Sequence, residues 1–328
     1  MNDDINSIYF GGGTPSIIDD LDLEKILNAI NKKYQISDKA EITMECNPDD
    51  INTKKIKGWK KNSINRISLG VQSFFDSDLI IMNRSHNSRT AKKAIELIKD
   101  NFANFSIDLI YGIPESSIDK WKKNIDIGLK YDLPHISTYV LTIEPRTALK
   151  KLIENNKITE VSDIDQKLQF DYSYNLLLEL GYSNYEFSSF SKPGYECKNN
   201  ITYWRREKYI GVGPSAHSFD GTSRTWNISN NQKYIEKINE NILPNESELL
   251  SEIDVLNEII MIGLRTADGI DLELIKSKFS SLNLDNLSEQ IELKIKKGIL
   301  VKTKNKIHTS REFKFLTDGV ASDLFVTN

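Results

Sequence analysis

Cysteine is nearly missing from this chain: Cys46 and Cys197 are its two thiols in 328 residues. A pair so far apart excludes a disulfide framework and any metal cage built from cysteine alone. Long apolar runs are missing too. Stretches such as Glu258-Ile259-Ile260-Met261-Ile262-Gly263-Leu264 fall far short of the roughly 20 residues that cross a bilayer. The start, Met1-Asn2-Asp3-Asp4, is acidic and has no apolar stretch, so no secretory leader and a cytoplasmic location are expected. Charge of one sign is not in excess either. The net charge of −4 excludes a general polyanion-binding surface but leaves room for local basic patches. What is present is 39% hydrophobic residues, enough for a large core, in a length that suits about two domains.

The first half repeats one pattern: a short β-rich run, a loop of Gly, Pro or Asn, then an amphipathic helix. The runs begin at residues 8, 41, 66, 105 and 135: Ile8–Phe10, Glu41–Glu45, Arg66–Gln72, Phe105–Ile110 and His135–Leu141. That spacing is the length of a βα unit. Leu23, Ile26, Leu27, Ile30 and Tyr34 form a helical stripe after the first run. Ala91, Ala94, Ile95, Ile98 and Phe102 form a second, and Trp121, Ile125 and Leu129 a third. Consecutive βα units predict a parallel α/β sheet or barrel with helices outside.

Side chains alternate along a strand. Glu41, Thr43 and Glu45 therefore oppose Ile42, Met44 and Cys46. Arg66, Ser68, Gly70 and Gln72 oppose Ile67, Leu69 and Val71, and Ser106 and Asp108 oppose Ile107 and Leu109. One face is apolar for the helices and the other polar for the inside. A closed barrel fills its interior with Val, Ile and Leu. This pattern predicts a wider, open barrel whose lumen holds a ligand and water. The competing reading is a doubly wound sheet with polar strand ends.

Gly11-Gly12-Gly13-Thr14-Pro15 follows the first run, where α/β ligand sites sit. Glycines there let the backbone turn and let main-chain N–H groups approach a ligand, although a tight turn alone explains three glycines as well. Glu45, Gln72 and Asp108 end their own runs and are expected to converge on the same rim. Such a rim suits a zwitterionic or ribose-bearing ligand, and Arg84 could take a carboxylate.

Taken in order, Tyr9 to Ser16, Thr43 to Pro48, Asn65 to Phe74, Asn83 to His86, Ile107 to Pro114, His135 to Glu144, Tyr185 to Ser188, Tyr203-Trp204 and Tyr209 to Ser218 resemble the radical SAM proteins related to oxygen-independent coproporphyrinogen III oxidase. Within them the chain is most similar to the heme chaperone branch, HemW. The resemblance implies a partial (βα)6 TIM-like barrel that binds S-adenosylmethionine and a [4Fe-4S] cluster, with heme as cargo. Mapped residue by residue, Gly12, Gly13 and Thr14 match the loop that holds the methionine moiety, and Glu45, Gln72, Arg84 and Asp108 match further S-adenosylmethionine contacts.

The chain departs from that family at two places. The CxxxCxxC motif, whose three thiolates leave one iron open, does not occur, and the first βα unit is expected to be missing with it. No metal ligands are assigned. Cys46 reads as a buried structural thiol and Cys197 as a solvent-side one. The second departure is Asn199-Asn200-Ile201-Thr202-Tyr203-Trp204, where the family carries histidine at the position of Asn199. A carboxamide is a poor axial ligand for heme iron. Tyr203 and Trp204 could pack on a porphyrin, or be core aromatics, and His217 is another candidate ligand. His86 and His135 read as hydrogen-bonded structural residues, and Tyr9 as a barrel-wall aromatic.

After Glu144 the repeat fades. Gln166–Leu180 reads as one helix with Leu168, Tyr172, Leu176 and Leu180 on a face and Gly181 as its stop, and Tyr185–Phe190 as a short strand. Residues 201–227, rich in Trp, Tyr and Gly, read as loop-heavy packing around the barrel mouth. A boundary at Pro244–Ser247 divides the chain into 1–245, the barrel with its extension, and 246–328. Helices at 252–264, 272–279 and 286–297 precede a hairpin at 299–309, and Thr317 is expected to cap a last helix at 318–326. Helices followed by a hairpin resemble a winged-helix domain, as the family's C-terminal domain does. Lys294, Lys296, Lys297, Lys302, Lys304 and Lys306 read as a solvated face rather than a nucleic-acid site.

The expected function is heme chaperoning, with heme or porphyrin, a heme-accepting protein and a second copy of the chain as partners. An oxidoreductase acting on coproporphyrinogen is the alternative if cluster ligands lie upstream, and a poorly folding remnant is the third reading. Weak or absent S-adenosylmethionine affinity is expected without the chelating iron.

Overall fold

The computed structural model describes residues 4–279 and 284–327; Met1, Asn2 and Asp3 of the acidic start lie outside them. Two compact units divide between Asn199 and Asn200. The residues 244–247 expected as a boundary run into a strand, Asn245–Leu249, that pairs with Ser223–Asn227.

The first unit alternates strand and helix: β1 (Ile5–Phe10), α1 (Asp20–Lys33), β2 (Ile36–Cys46), α2 (Thr53–Lys61), β3 (Arg66–Gln72), α3 (Asp76–Ile81), α4 (Ser88–Lys99), β4 (Asn104–Tyr111), α5 (Ile118–Leu129), β5 (His135–Val140), α6 (Ala148–Glu154), α7 (Asp163–Glu179), β6 (Ser183–Glu186) and β7 (Ser189–Ser191). The loops close on helix caps: Asp19, Asn52, Asn87, Ser117, Thr147 and Ser162 each accept a hydrogen bond from the first turn that follows. The sheet runs β1-β2-β3-β4-β5-β7-β6, with β1 to β5 parallel and β7 and β6 antiparallel. Parallel strands in chain order, with no reversal, make the curled half-barrel of a TIM-like α/β fold and set the doubly wound reading aside.

The two sheet faces separate as alternation requires. Met44, Ile67, Leu69, Ile107, Leu109 and Ile136 are fully buried toward the helices. The register of the other face lines up Tyr9, Thr43, Arg66 and Asn104 in one row. Glu45, Ser68, Ser106, His135 and Ser191 form the next. Asp108, Ser137 and Ser189 form a third. Polar side chains thus face one another across the strands.

Two expectations fail here, the single strand at 185–190 and the solvent-side Cys197, each for a tertiary reason. The run Tyr185–Phe190 is a hairpin, β6 and β7, turned where the Ser188 N–H donates to the Glu186 carboxylate. In α7 the buried side chains are Gln169, Phe170, Ser173 and Leu177, while Leu168 and Leu180 are exposed. The chain needs Gln169 inside, because its side-chain oxygen accepts from Gly112 N–H (2.9 Å) and its carbonyl from the Trp121 indole (2.8 Å). Cys197 is buried, not solvent-side: it lies against the Glu41 carboxylate on the distant strand β2. Around α1 only Leu23 is fully buried, so its apolar stripe is less covered than that of α4.

The second unit continues from α8 (Lys198–Trp204), which spans the division, into β8 (His217–Phe219), β9 (Ser223–Asn227), α9 (Asn231–Asn239) and β10 (Asn245–Leu249). The segment 201–227, expected to be loop-heavy, carries the end of α8 and the two short strands β8 and β9 between irregular stretches. Then come α10 (Glu252–Arg265), β11 (Ile270–Asp271), α11 (Leu272–Lys278), α12 (Asp285–Lys296), β12 (Leu300–Thr303), β13 (Lys306–Thr309) and α13 (Thr317–Ser322). The three helices and the hairpin fall as expected. The last helix is shorter, and Thr317 lies inside it, its hydroxyl donating to the Lys314 carbonyl. Leu256, Ile260, Leu264, Ile291, Leu300 and Ile307 share an apolar core. Lys294 leaves the solvated lysine face: it is buried and paired with Asp323 at 2.7 Å. No helix among the described residues is long and apolar enough to cross a membrane.

Candidate functional site

The loop after β1 opens the polar face. Gly12 and Gly13 have φ of +80° and +34°, and a side chain there would meet nothing within 4 Å. Their glycines serve backbone conformation rather than space. Thr14 precedes a short 3-10 turn, Pro15–Ile17, and its carbonyl accepts from Ile17 N–H. The Gly12 N–H donates to Glu45 Oε2 at 3.1 Å, and the Tyr9 hydroxyl donates to Glu45 Oε1 at 2.7 Å. Tyr9 is thus a partner of the acidic side chain on the next strand, not only a wall aromatic. Burial, then Glu45, raises the Tyr9 phenol far above its usual range.

Asp108, on β4, is half-buried and faces Ser137 across the strands. Burial pushes its carboxyl up to about 6; the Ser137 and Ser68 hydroxyls and Arg66 oppose that, while Glu45 adds to it. Glu45 and Asp108 therefore lie in each other's field, and both act on Tyr9. Glu45 meets the glycine turn through the Gly12 N–H, and with Asp108 it offers acceptors for hydroxyl or ammonium donors.

Gln72 ends β3 in the left-handed region, φ +64°, and is nearly buried. A side chain on Gly70 would come within 2.7 Å of its amide nitrogen, so Gly70 leaves the space its side chain occupies. Arg84 is exposed, and its segment is joined to the loop after β2 by the Ser85 hydroxyl donating to Asp49. Sequence reasoning named Tyr9, Gly11 and Gly70 but missed the contact of Tyr9 with Glu45 and the clearance the two glycines give to the Tyr9 and Gln72 side chains.

Below the rim the interior holds a buried ion pair, Arg66 and Glu41, at 3.9 Å. Arg66 also donates to Ser106 (3.1 Å), and Glu41 accepts from the Lys198 backbone N–H (2.9 Å). His135 contacts the Tyr185 hydroxyl at 2.8 Å, and burial lowers its pKa well below the usual histidine range. His86 is buried against the Val71 carbonyl.

A [4Fe-4S] cluster finds no ligand set here. Among the described residues no group of three His, Cys, Asp or Glu is placed to hold a metal ion. Cys46 is buried beside the Ser68 carbonyl, and burial raises its thiol well above the usual range, which disfavours the thiolate a cluster needs.

In the second unit, Tyr203 meets Tyr209 edge-on, with centroids 4.6 Å apart. Tyr209 pairs with Phe219, two residues along β8 from His217. His217 is exposed and pairs across the strands with Trp226, centroids 6.2 Å apart. The Arg265 guanidinium covers the Trp204 ring at 5.5 Å. Arg206 lies over Phe219, and Arg206 and Arg224 both pair with Glu258.

Family comparison agrees with this architecture. The radical SAM superfamily model matches residues 1–127, and the HemN C-terminal domain model matches residues 250–312. Heme chaperone HemW of Lactococcus lactis is 32% identical over 96% of this chain and 86% of its own length. Heme chaperone HemW of Bacillus subtilis is 29% identical over 97% and 84%. The structure of coproporphyrinogen III oxidase, a radical SAM enzyme from Escherichia coli, superposes with a TM-score of 0.83 over 98% of this chain and 78% of that one; at 18% identity the likeness is one of fold. With a relative this similar along nearly all of its length, the chain belongs to the HemW family within the radical SAM superfamily.

Proposed function

We propose that this protein binds heme and passes it to an acceptor, in the manner named for its relatives. The carrying observation is the end-to-end similarity to the Lactococcus lactis heme chaperone. The cytoplasm is the compartment in which it would act, and a second copy of the chain is the proposed self-partner. The division of labour follows residues 1–245 and 246–328, the latter a winged-helix-like domain built from α10 to α13 and the β12–β13 hairpin.

In this reading the rim takes S-adenosylmethionine. Gly12, Gly13 and Thr14 receive the methionine end through main-chain groups. Glu45 and Asp108 accept from its hydroxyls or ammonium, Gln72 offers an amide, and Arg84 takes the carboxylate. In this role these groups would bind and orient the molecule. Heme would supply an iron with open axial positions. His217 is the imidazole of the second unit whose side chain is exposed beside an aromatic, while Tyr203 and Trp204 offer ring faces. The coproporphyrinogen reading shares the fold, but its redox chemistry needs thiolates that Cys46 and Cys197 do not provide.

Hemin titration of the purified chain, followed by absorbance, tests this. A saturable Soret shift at micromolar hemin is expected. A spectrum identical to free hemin at every ratio would overturn the reading.

A further inference from the structure

Glu45 is held in place by its own chain before any ligand arrives. One oxygen accepts from the Tyr9 hydroxyl at 2.7 Å and the other from the Gly12 N–H at 3.1 Å. A carboxylate oxygen has two lone-pair directions. Each oxygen therefore keeps one for a ligand while the other fixes its position.

The geometry that allows this is unusual. In register, Tyr9 lies beside Thr43, not beside Glu45. To reach Glu45 the phenol must lean along β1 toward the C-terminal end of the strands. Gly11 is next on the same strand face. A Cβ at Gly11 would stand 2.8 and 3.0 Å from two ring carbons of Tyr9 and 3.3 Å from Glu45 Oε1. Real Cβ atoms do not approach a ring carbon that closely, so the ring crosses space that only glycine leaves empty. Gly11 also has no left-handed φ, unlike Gly12 and Gly13. Its reason for being glycine is the ring, and theirs is the backbone.

We infer that Tyr9 is the positioning residue of the rim, that it fixes the Glu45 carboxylate as an acceptor for a ligand's hydroxyl or ammonium donors, and that Gly11 is required because it clears the path of the Tyr9 ring. The three glycines of the loop thus divide into one steric and two conformational positions. The choice of ligand rests on the S-adenosylmethionine reading above; the anchoring itself does not.

A double-mutant cycle with two readouts tests the inference. The first is amide hydrogen exchange of Gly12 in the ligand-free full chain. Tyr9→Phe keeps the ring and removes the donor; it should speed Gly12 exchange roughly tenfold, the loss of one charge-assisted hydrogen bond. Gly11→Ala should do the same beside Tyr9, yet add little in a Tyr9→Ala background, where no ring remains to be displaced. The second readout is S-adenosylmethionine titration followed by backbone amide shifts, in which Tyr9→Phe and Gly11→Ala each weaken binding about tenfold relative to the parent chain. Unchanged Gly12 exchange in Tyr9→Phe, or a Gly11→Ala effect that is fully additive with Tyr9→Ala, would overturn the inference. Altered exchange in a protein whose parent form binds no S-adenosylmethionine leaves the anchor standing and defeats the ligand reading instead.

Discussion

The interior of the first unit and the core of the second are built on opposite principles. The core around α10 and α12 is hydrocarbon: Leu256, Ile260, Leu264, Ile291 and Ile307 meet one another with no charge among them. The strand face of the half-barrel is polar throughout, with Glu41, Arg66, Ser68, Ser106, His135 and Asp108 brought into rows by register. Apolar burial stabilises whatever shape it fills. Buried charge stabilises little and costs desolvation, so it persists where it does something else. Under the proposed function, stability rests on the hydrocarbon core and ligand chemistry on the polar strand face. Mutations should therefore behave differently in the two.

The largest effect is expected at Arg66. Arg66→Met leaves the Glu41 carboxylate buried without its cation, and chemical denaturation should show a loss of about 3–5 kcal/mol. A loss no greater than that of a surface arginine would remove the charge argument.

Asp108→Asn should act in the opposite direction. The folded carboxyl has its pKa raised to about 6. Between the ordinary Asp value and 6, the folded state holds a proton that the unfolded chain has released. The cost of ionising Asp108 therefore grows as pH rises through that window and is complete above it. The Asn variant should match the parent near pH 4 and gain up to about 3 kcal/mol above pH 6 in melts run across that range. A gain that is largest at low pH would have the wrong sign. Any stability gained should come with weaker ligand binding, as at other sites where function holds strain.

Ile260→Val, in the hydrocarbon core, should cost about 0.5–1.5 kcal/mol at every pH. A pH-dependent cost there would blur the distinction between the two regions.

How far the sequence could be read follows the same division. Alternation along β2, β3 and β4 placed Glu45, Ser68 and Asp108 on one face, and β3 begins and ends where its pattern does, at Arg66 and Gln72. Periodicity reports which face a residue takes, because that is local geometry. It does not report how far a side chain leans along its strand, so Tyr9 read as a wall residue although it reaches Glu45. It also fails where a distant partner decides burial. Cys197 is inside because Glu41 is there, and α7 turns Gln169 inward because Gly112 and Trp121 need its oxygens. Leu168 and Leu180 were the better candidates on hydrophobicity alone, and both are exposed.

The central claim is that separate strands of the half-barrel gather their polar ends around the Gly12–Gly13 turn to hold an adenosylated amino acid. Backbone amide spectra recorded while S-adenosylmethionine is added into the millimolar range address it directly. The account predicts weak, saturable and concerted shifts at Gly12, Gly13, Glu45, Gln72 and Asp108. Saturation with those five amides unmoved, or shifts gathered on the helix side of the sheet, would contradict it.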